Sequence, residues 1–230
     1  MWKVITVKKL LVINASARKE HSHSRTLTDV FINHWTSAQQ DVGIQLRELG
    51  STHVPHLSEE WIIANQTPAS NRTEKHKEVL SASDAYIKEL READVIVLGT
   101  PMYNWSIPSS LKAYIDQVLR LNETFKINTA DPAKPYTGLL QNKKLVLLVA
   151  TGIQGYEPGQ PNAHLNFQTT YLETVFGMMG IEDIHVVRIS GTSLDKEALK
   201  GNIEQAYQQV RSFVKAMEWQ RKTTQLKEAY

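Results

Sequence analysis

The sequence predicts an α/β fold: one parallel sheet of five strands in the order 2-1-3-4-5, with helices on both faces. Three observations carry this. Val95, Ile96, Val97 and Leu98 form a branched apolar run without polar alternation, which suits a strand buried on both faces of a parallel sheet. Residues 144–150 repeat that pattern. Along the whole chain such runs alternate with segments whose apolar residues recur every three or four positions, and that alternation calls for right-handed crossover connections.

The first strand is written in residues 8–14, where Leu10, Leu11, Val12 and Ile13 follow two lysines. A helix follows over 24–35, with Leu27, Phe31 and Trp35 on one stripe. Residues 43–49 make a shorter second strand. The polar stretch 50–71, broken by Pro55 and Pro68, is expected to be a long loop, and 74–91 a helix that ends just before the third strand at 94–100. The next helix is expected over 106–122, capped by Ser106, with Leu111, Tyr114, Ile115 and Val118 on its inner face. Residues 125–141 contain Pro132, Pro135 and Gly138 and read as irregular; the fourth strand follows at 144–150. A loop at 151–162 holds three glycines and two prolines, then come a helix at 164–179, a fifth strand at 183–189 and a terminal helix at 194–217. No repeat or low-complexity linker interrupts the chain, and residues 1–230 are read as a single domain.

Composition narrows the function. With 41% hydrophobic and 22% charged residues and no apolar run near the roughly 20 residues of a membrane span, a soluble protein is expected. The first residues lack a long apolar stretch with a small-residue cleavage site, so the expected location is the cytoplasm, away from membranes. The absence of cysteine removes disulfides, thiolate metal sites and cysteine nucleophiles, and any redox chemistry then needs a cofactor. A net charge of +2 with acids and bases interspersed offers no stripe for nucleic acid, leaving small molecules as the expected partners. Neither a Gly-x-Ser-x-Gly elbow nor an H-E-x-x-H pair is present.

The strand order places the ligand crevice between strands one and three, flanked by the loops that begin at Asn14 and Thr100. The first loop carries Ser16, Ser22, His23 and Ser24 into a helix start, where short hydroxyls and unpaired amides bind a phosphate without a formal positive charge. Helix capping by Ser22 and Ser24 would use the same amides. Neither a glycine-rich dinucleotide fingerprint nor a Gly-Lys-Ser/Thr sequence is present, which favours a monophosphate. His21 and His23 have no nearby acid pair, so no metal is expected. The second loop, Pro101, Met102, Tyr103, Asn104 and Trp105, puts two aromatics around an amide at the lip of the sheet, where a flat ligand would rest. A third, with Thr151, Gly152 and Gly155, follows strand four beside the switch point, and its glycines let backbone amides come close to a ligand.

The Pro-Met-Tyr-Asn-Trp loop closely resembles the P-M-Y-N-F/W loop of the flavodoxin-like quinone reductases and FMN-dependent azoreductases, and Gly177-Met178-Met179-Gly180-Ile181 adds a second similarity. The resemblance spans residues 10–217. It implies a flavodoxin-like three-layer fold and an FMN-dependent NAD(P)H oxidoreductase. NADH or NADPH would pass hydride to the flavin and leave, and a quinone or azo compound would then take two electrons in a ping-pong cycle. It also implies a homodimer whose subunits both wall the pocket, served by the long segments 50–71 and 125–141. Ser16, Ser22, His23 and Ser24 would hold the FMN phosphate, and residues 101–105 with Thr151, Gly152 and Gly155 the ring, while Trp105 and Phe125 would line the substrate space. The flavin would carry the chemistry, with no protein acid or base required. The third loop departs from the family's S/A-R-G-G: the arginine is absent and the spacing longer. A flavodoxin-type electron carrier is the alternative, although carriers tend to be smaller and strongly acidic. A response-regulator domain of the same strand order would need acidic residues where Asn14-Ala15 and Thr100-Pro101 stand.

Overall fold

The computed structural model describes residues 9–38, 43–194 and 196–227. Its first half runs β1 (Lys9–Asn14), α1 (His23–Ala38), β2 (Gly43–Glu48), α2 (Glu59–Gln66), α3 (Glu74–Glu92) and β3 (Val95–Pro101). Its second half runs α4 (Ser109–Val118), β4 (Phe125–Ile127), β5 (Tyr136–Gly138), β6 (Lys144–Thr151), α5 (Thr169–Met178), β7 (Asp183–Ser190) and α6 (Lys196–Lys227). The main sheet has the order β2-β1-β3-β6-β7, every neighbouring pair parallel, which is the expected 2-1-3-4-5 arrangement. Residue 8, expected in the first strand, lies outside the described residues.

The pleat divides the core into two halves. Leu10, Val12, Val97 and Leu148 point to the side covered by α1 and α6, where Leu27, Phe31 and Trp35 of α1 meet Ala206, Val210 and Val214. Leu11, Ile13, Leu98 and Leu147 point to the side covered by α3, α4 and α5. Strands buried on both faces need apolar residues at every position, hence the unbroken apolar runs. Gly99 is required by this packing: a Cβ there would stand 2.5 Å from Thr28 Cγ2, so α1 could not lie as close to β3.

Four expectations need correction. The expected loop over 50–71 contains α2, whose amino end is capped by the Ser58 side chain accepting from the Trp61 N–H, with Glu59 and Glu60 favourable in the first turn. The 125–141 stretch folds into the antiparallel hairpin β4–β5. Ser106 does not cap the following helix but exchanges backbone hydrogen bonds with Tyr103; Ile107, as the residue before Pro108, avoids helical geometry, and α4 starts at Ser109. Residues 163–165 form one 3₁₀ turn, and α5 begins only at Thr169.

Among the described residues no helix is long and apolar enough to cross a membrane.

Candidate functional site

β1, with β2 on one side and β3 on the other, marks the switch point. The loops leaving Asn14 and Pro101 therefore open beside each other at the carboxyl edge of the sheet, and the loop leaving Thr151 on β6 is the next neighbour.

In the first loop, the hydroxyl-bearing residues Ser16, Ser22 and Ser24 are all buried, and the Ser22 and Ser24 hydroxyl oxygens lie 3.4 Å apart. The first intrahelical bond of α1 runs from the Thr26 N–H to the Ser22 carbonyl at 3.0 Å, so the N–H groups of His23, Ser24 and Arg25 form the open amino end of the helix. Arg25 shapes the loop from behind. Its guanidinium donates to the carbonyls of Ser16 and Arg18, each at 2.7 Å, and clasps both carboxylate oxygens of Glu48. Gly50 lets β2 approach that loop, because a Cβ would come within 1.8 Å of the Ser16 carbonyl oxygen. Burial, and then the positive charge of Arg18, push His23 below its ordinary value, which favours the neutral ring. Buried hydroxyls, a free helix end and a neutral imidazole suit one phosphate group.

In the second loop, the Met102 N–H extends the β3–β6 pairing by donating to the Ala150 carbonyl at 2.8 Å. Tyr103 and Ser106 then close a tight turn with reciprocal bonds of 3.0 Å. The two residues inside it, Asn104 and Trp105, both have positive φ, at 49° and 63°. A non-glycine residue there costs about 1–3 kcal/mol, so surrounding bonds must hold the turn. Among the described residues no protein acceptor meets the N–H groups of Asn104 and Trp105, which leaves them for a ligand edge. The Trp105 side chain is half exposed.

In the third loop, the Thr151 and Gly152 carbonyls accept the N–H groups of Thr192 and Ser193, each at 3.0 Å, from the turn after β7. The carbonyls of Gln154 and Gly155 turn back onto Asn162, accepting its side-chain and backbone N–H groups, and Gly155 takes φ 86° to do so. The N–H groups of Gln154 and Gly155 have no protein acceptor among the described residues.

Ser16, Ser22, His23, Ser24, residues 101–105, Thr151, Gly152 and Gly155 thus all lie at the carboxyl edge of the sheet, in or directly beside the loops that leave β1, β3 and β6. Phe125 does not join them within one chain. It sits on β4 beyond the far end of α4, where Arg91 donates to the Glu123 carbonyl at 2.9 Å, at the amino ends of the strands, and its ring meets Tyr136 edge-on. Sequence reasoning missed Arg25, Glu48 and Phe167. For Arg25 a signal existed: a cation in the first turn of a helix opposes the dipole and needs another reason to be there.

The profile of the protein family described as Flavodoxin-like fold matches residues 8–214. The chain belongs to that family. A protein of Hydrogenovibrio crunogenus named FMN-dependent NADH:quinone oxidoreductase is 40% identical over 199 residues, covering 86% of this chain and 96% of that one. FMN-dependent NADH:quinone oxidoreductase 1 of Trichormus variabilis is 37% identical over 215 residues, covering 94% and 99%. The crystal structure of an FMN-dependent NADH-azoreductase from Bacillus anthracis in complex with FMN superposes with a TM-score of 0.81 at 24% identity, covering 92% of this chain and 100% of that one. That likeness establishes the shared fold.

Proposed function

We propose that this chain is an FMN-dependent NADH:quinone oxidoreductase that also reduces azo compounds, and that it acts as a single-domain subunit of a cytoplasmic homodimer. The observation that carries the reading is the placement, on neighbouring loops at the carboxyl edge of the sheet, of a buried serine cluster at a helix amino end and a strained turn with two amides that meet no acceptor among the described residues. The first suits the phosphate of FMN and the second the polar edge of its ring. Relatives at 40% and 37% identity bearing that activity in their names support it.

FMN, when bound, supplies two-electron transfer between nicotinamide and acceptor. The chain's own residues bind and orient. Ser16, Ser22, Ser24 and the first amides of α1 hold the phosphate, with His23 beside them. Pro101 and Met102 fix the start of the turn, while Asn104 and Trp105 offer their N–H groups to the ring. Thr151, Gly152, Gln154 and Gly155 supply the facing backbone, where donors favour negative charge developing on the ligand. Trp105 and Phe167, both more than half exposed, wall the open side and shed water from it. Phe125, distant in its own chain, would line a substrate pocket as a contribution to the partner's site.

Chromatography of the released cofactor tests the first step, with FMN expected and FAD or no flavin opposing the reading. Steady-state rates with NADH and a quinone should give parallel double-reciprocal lines, because both substrates use one open face in turn. Intersecting lines, or a flavoprotein that turns over no NADH, would favour the electron carrier. Light scattering at micromolar concentration should report a dimer.

A further inference from the structure

We infer that Asn166, Gln168 and Thr169 form a positioning strut that sets the spacing between the two ring-binding loops, so that ring affinity depends on residues outside the crevice wall. This rests on the flavin reading above. The segment lies between the 3₁₀ turn at 163–165 and α5, and all three side chains are buried. The Asn166 amide nitrogen donates to the Tyr156 carbonyl at 3.0 Å, on the third loop, and to Thr169 Oγ1 at 2.7 Å. Its amide oxygen accepts the Thr169 N–H at 3.1 Å, and Arg188 of β7 reaches the same Thr169 hydroxyl at 3.2 Å. One residue on, the Phe167 N–H donates to the Trp105 carbonyl at 3.1 Å, in the second loop. Gln168 places its amide nitrogen 3.5 Å from the Thr100 carbonyl at the end of β3.

Consecutive residues therefore grip both loops. Trp105 and Asn104 sit in left-handed backbone, which relaxes unless held, and their carbonyl-side anchor is Phe167. Tyr156 follows the amides of Gln154 and Gly155, and its anchor is Asn166. A buried polar cluster with defined geometry fixes relative position in a way apolar packing does not. Gln168 leaves its side-chain oxygen buried and unpaired, a local disadvantage tolerated at this spot. None of the three strut side chains bonds to the phosphate loop, so the strut acts on the ring and not on the phosphate.

That separation gives the test. FMN and riboflavin share the ring, but only FMN has the phosphate. In full-length Asn166→Ala, both affinities should fall together by about 5- to 30-fold, leaving their ratio unchanged. Hydrogen exchange in the flavin-free protein should quicken at Tyr103, Ser106 and Asn162, whose N–H groups are bonded within the two loops in the parent. Should Asn166→Ala fail to fold, Thr169→Val keeps the shape, removes the shared hydroxyl and should move both readouts in the same direction. Val214→Ala, in the opposite half of the core, is the control for general loosening. Parental riboflavin affinity in the folded strut variants would overturn the inference, and so would an equal loss in Val214→Ala. A parent protein that binds neither flavin would overturn the flavin reading itself.

Discussion

Arg25 clasps Glu48 with two hydrogen bonds of 2.5 and 2.6 Å while the same guanidinium holds the carbonyl of Ser16 at 2.7 Å. A strand-edge carboxylate is thereby tied to the loop proposed to hold phosphate. Arg25→Lys keeps the charge but not the planar fork, and should cost about 1–3 kcal/mol of stability in urea unfolding, with weaker FMN binding. Burial pushes the Glu48 carboxyl up, yet the Arg25 bond and the N–H groups of Gly50 and Ser51 outweigh it and hold the group below its ordinary value of 4.5. The stabilisation is then fully present above 4.5 and lost as pH falls through the lowered value. In Arg25→Lys this acid limb should be shallower.

Ser24 is fully buried at the open end of α1, where a carboxylate would face the proposed phosphate without water to screen it. Ser24→Asp should weaken FMN about 100-fold or more while changing riboflavin affinity by less than about threefold. Titration by flavin fluorescence separates the two. Unchanged FMN affinity would leave Ser24 a packing residue only and move the phosphate elsewhere.

His23 titrates below its ordinary value of 6.5 because of burial and then Arg18. Folding therefore favours the neutral ring, so its contribution is complete above 6.5 and disappears as pH falls through the lowered value. The flavin-free protein should lose thermal stability as pH falls below 6.5, and part of that loss should be missing in His23→Gln. An identical decline in both proteins would remove His23 as its source.

The strand order and the three crevice loops were legible because each central strand is an unbroken apolar run, and runs of that kind leave little choice of element. The α2 helix was harder to see. Its Ser58-Glu59-Glu60 start is a sound helix signal, but the helix spans 8 residues and shows little amphipathic stripe, since it docks mainly through Trp61, whose indole donates to Gln117 at 2.8 Å, and Ala64. The links that Arg25, Asn166 and Phe167 make to the crevice loops all end on backbone carbonyls, and a carbonyl carries no residue-type signal. Phe125 meets a related limit: its place in the motif order says nothing of which end of the sheet α4 delivers it to.

Trp105 separates the roles of backbone and side chain. Its N–H meets no acceptor among the described residues and its carbonyl is held by Phe167, whereas its indole is 53% exposed. Alanine at this position keeps a Cβ and the same constraint against positive φ, so Trp105→Ala leaves the turn's geometry to its anchors, which glycine would not. FMN affinity should change by less than about threefold, because the ring is proposed to meet the backbone. The face on which acceptors rest would lose most of one aromatic wall. The kcat/KM for a quinone should therefore fall by about tenfold, with the parallel-line pattern retained. NADH should be affected less if the wall serves the acceptor chiefly, and equally if both substrates stack on it, so comparing the two half-reactions by rapid mixing assigns the wall. A large loss of FMN with unaltered acceptor kinetics would instead place the indole under the ring and overturn the division of labour proposed for this turn.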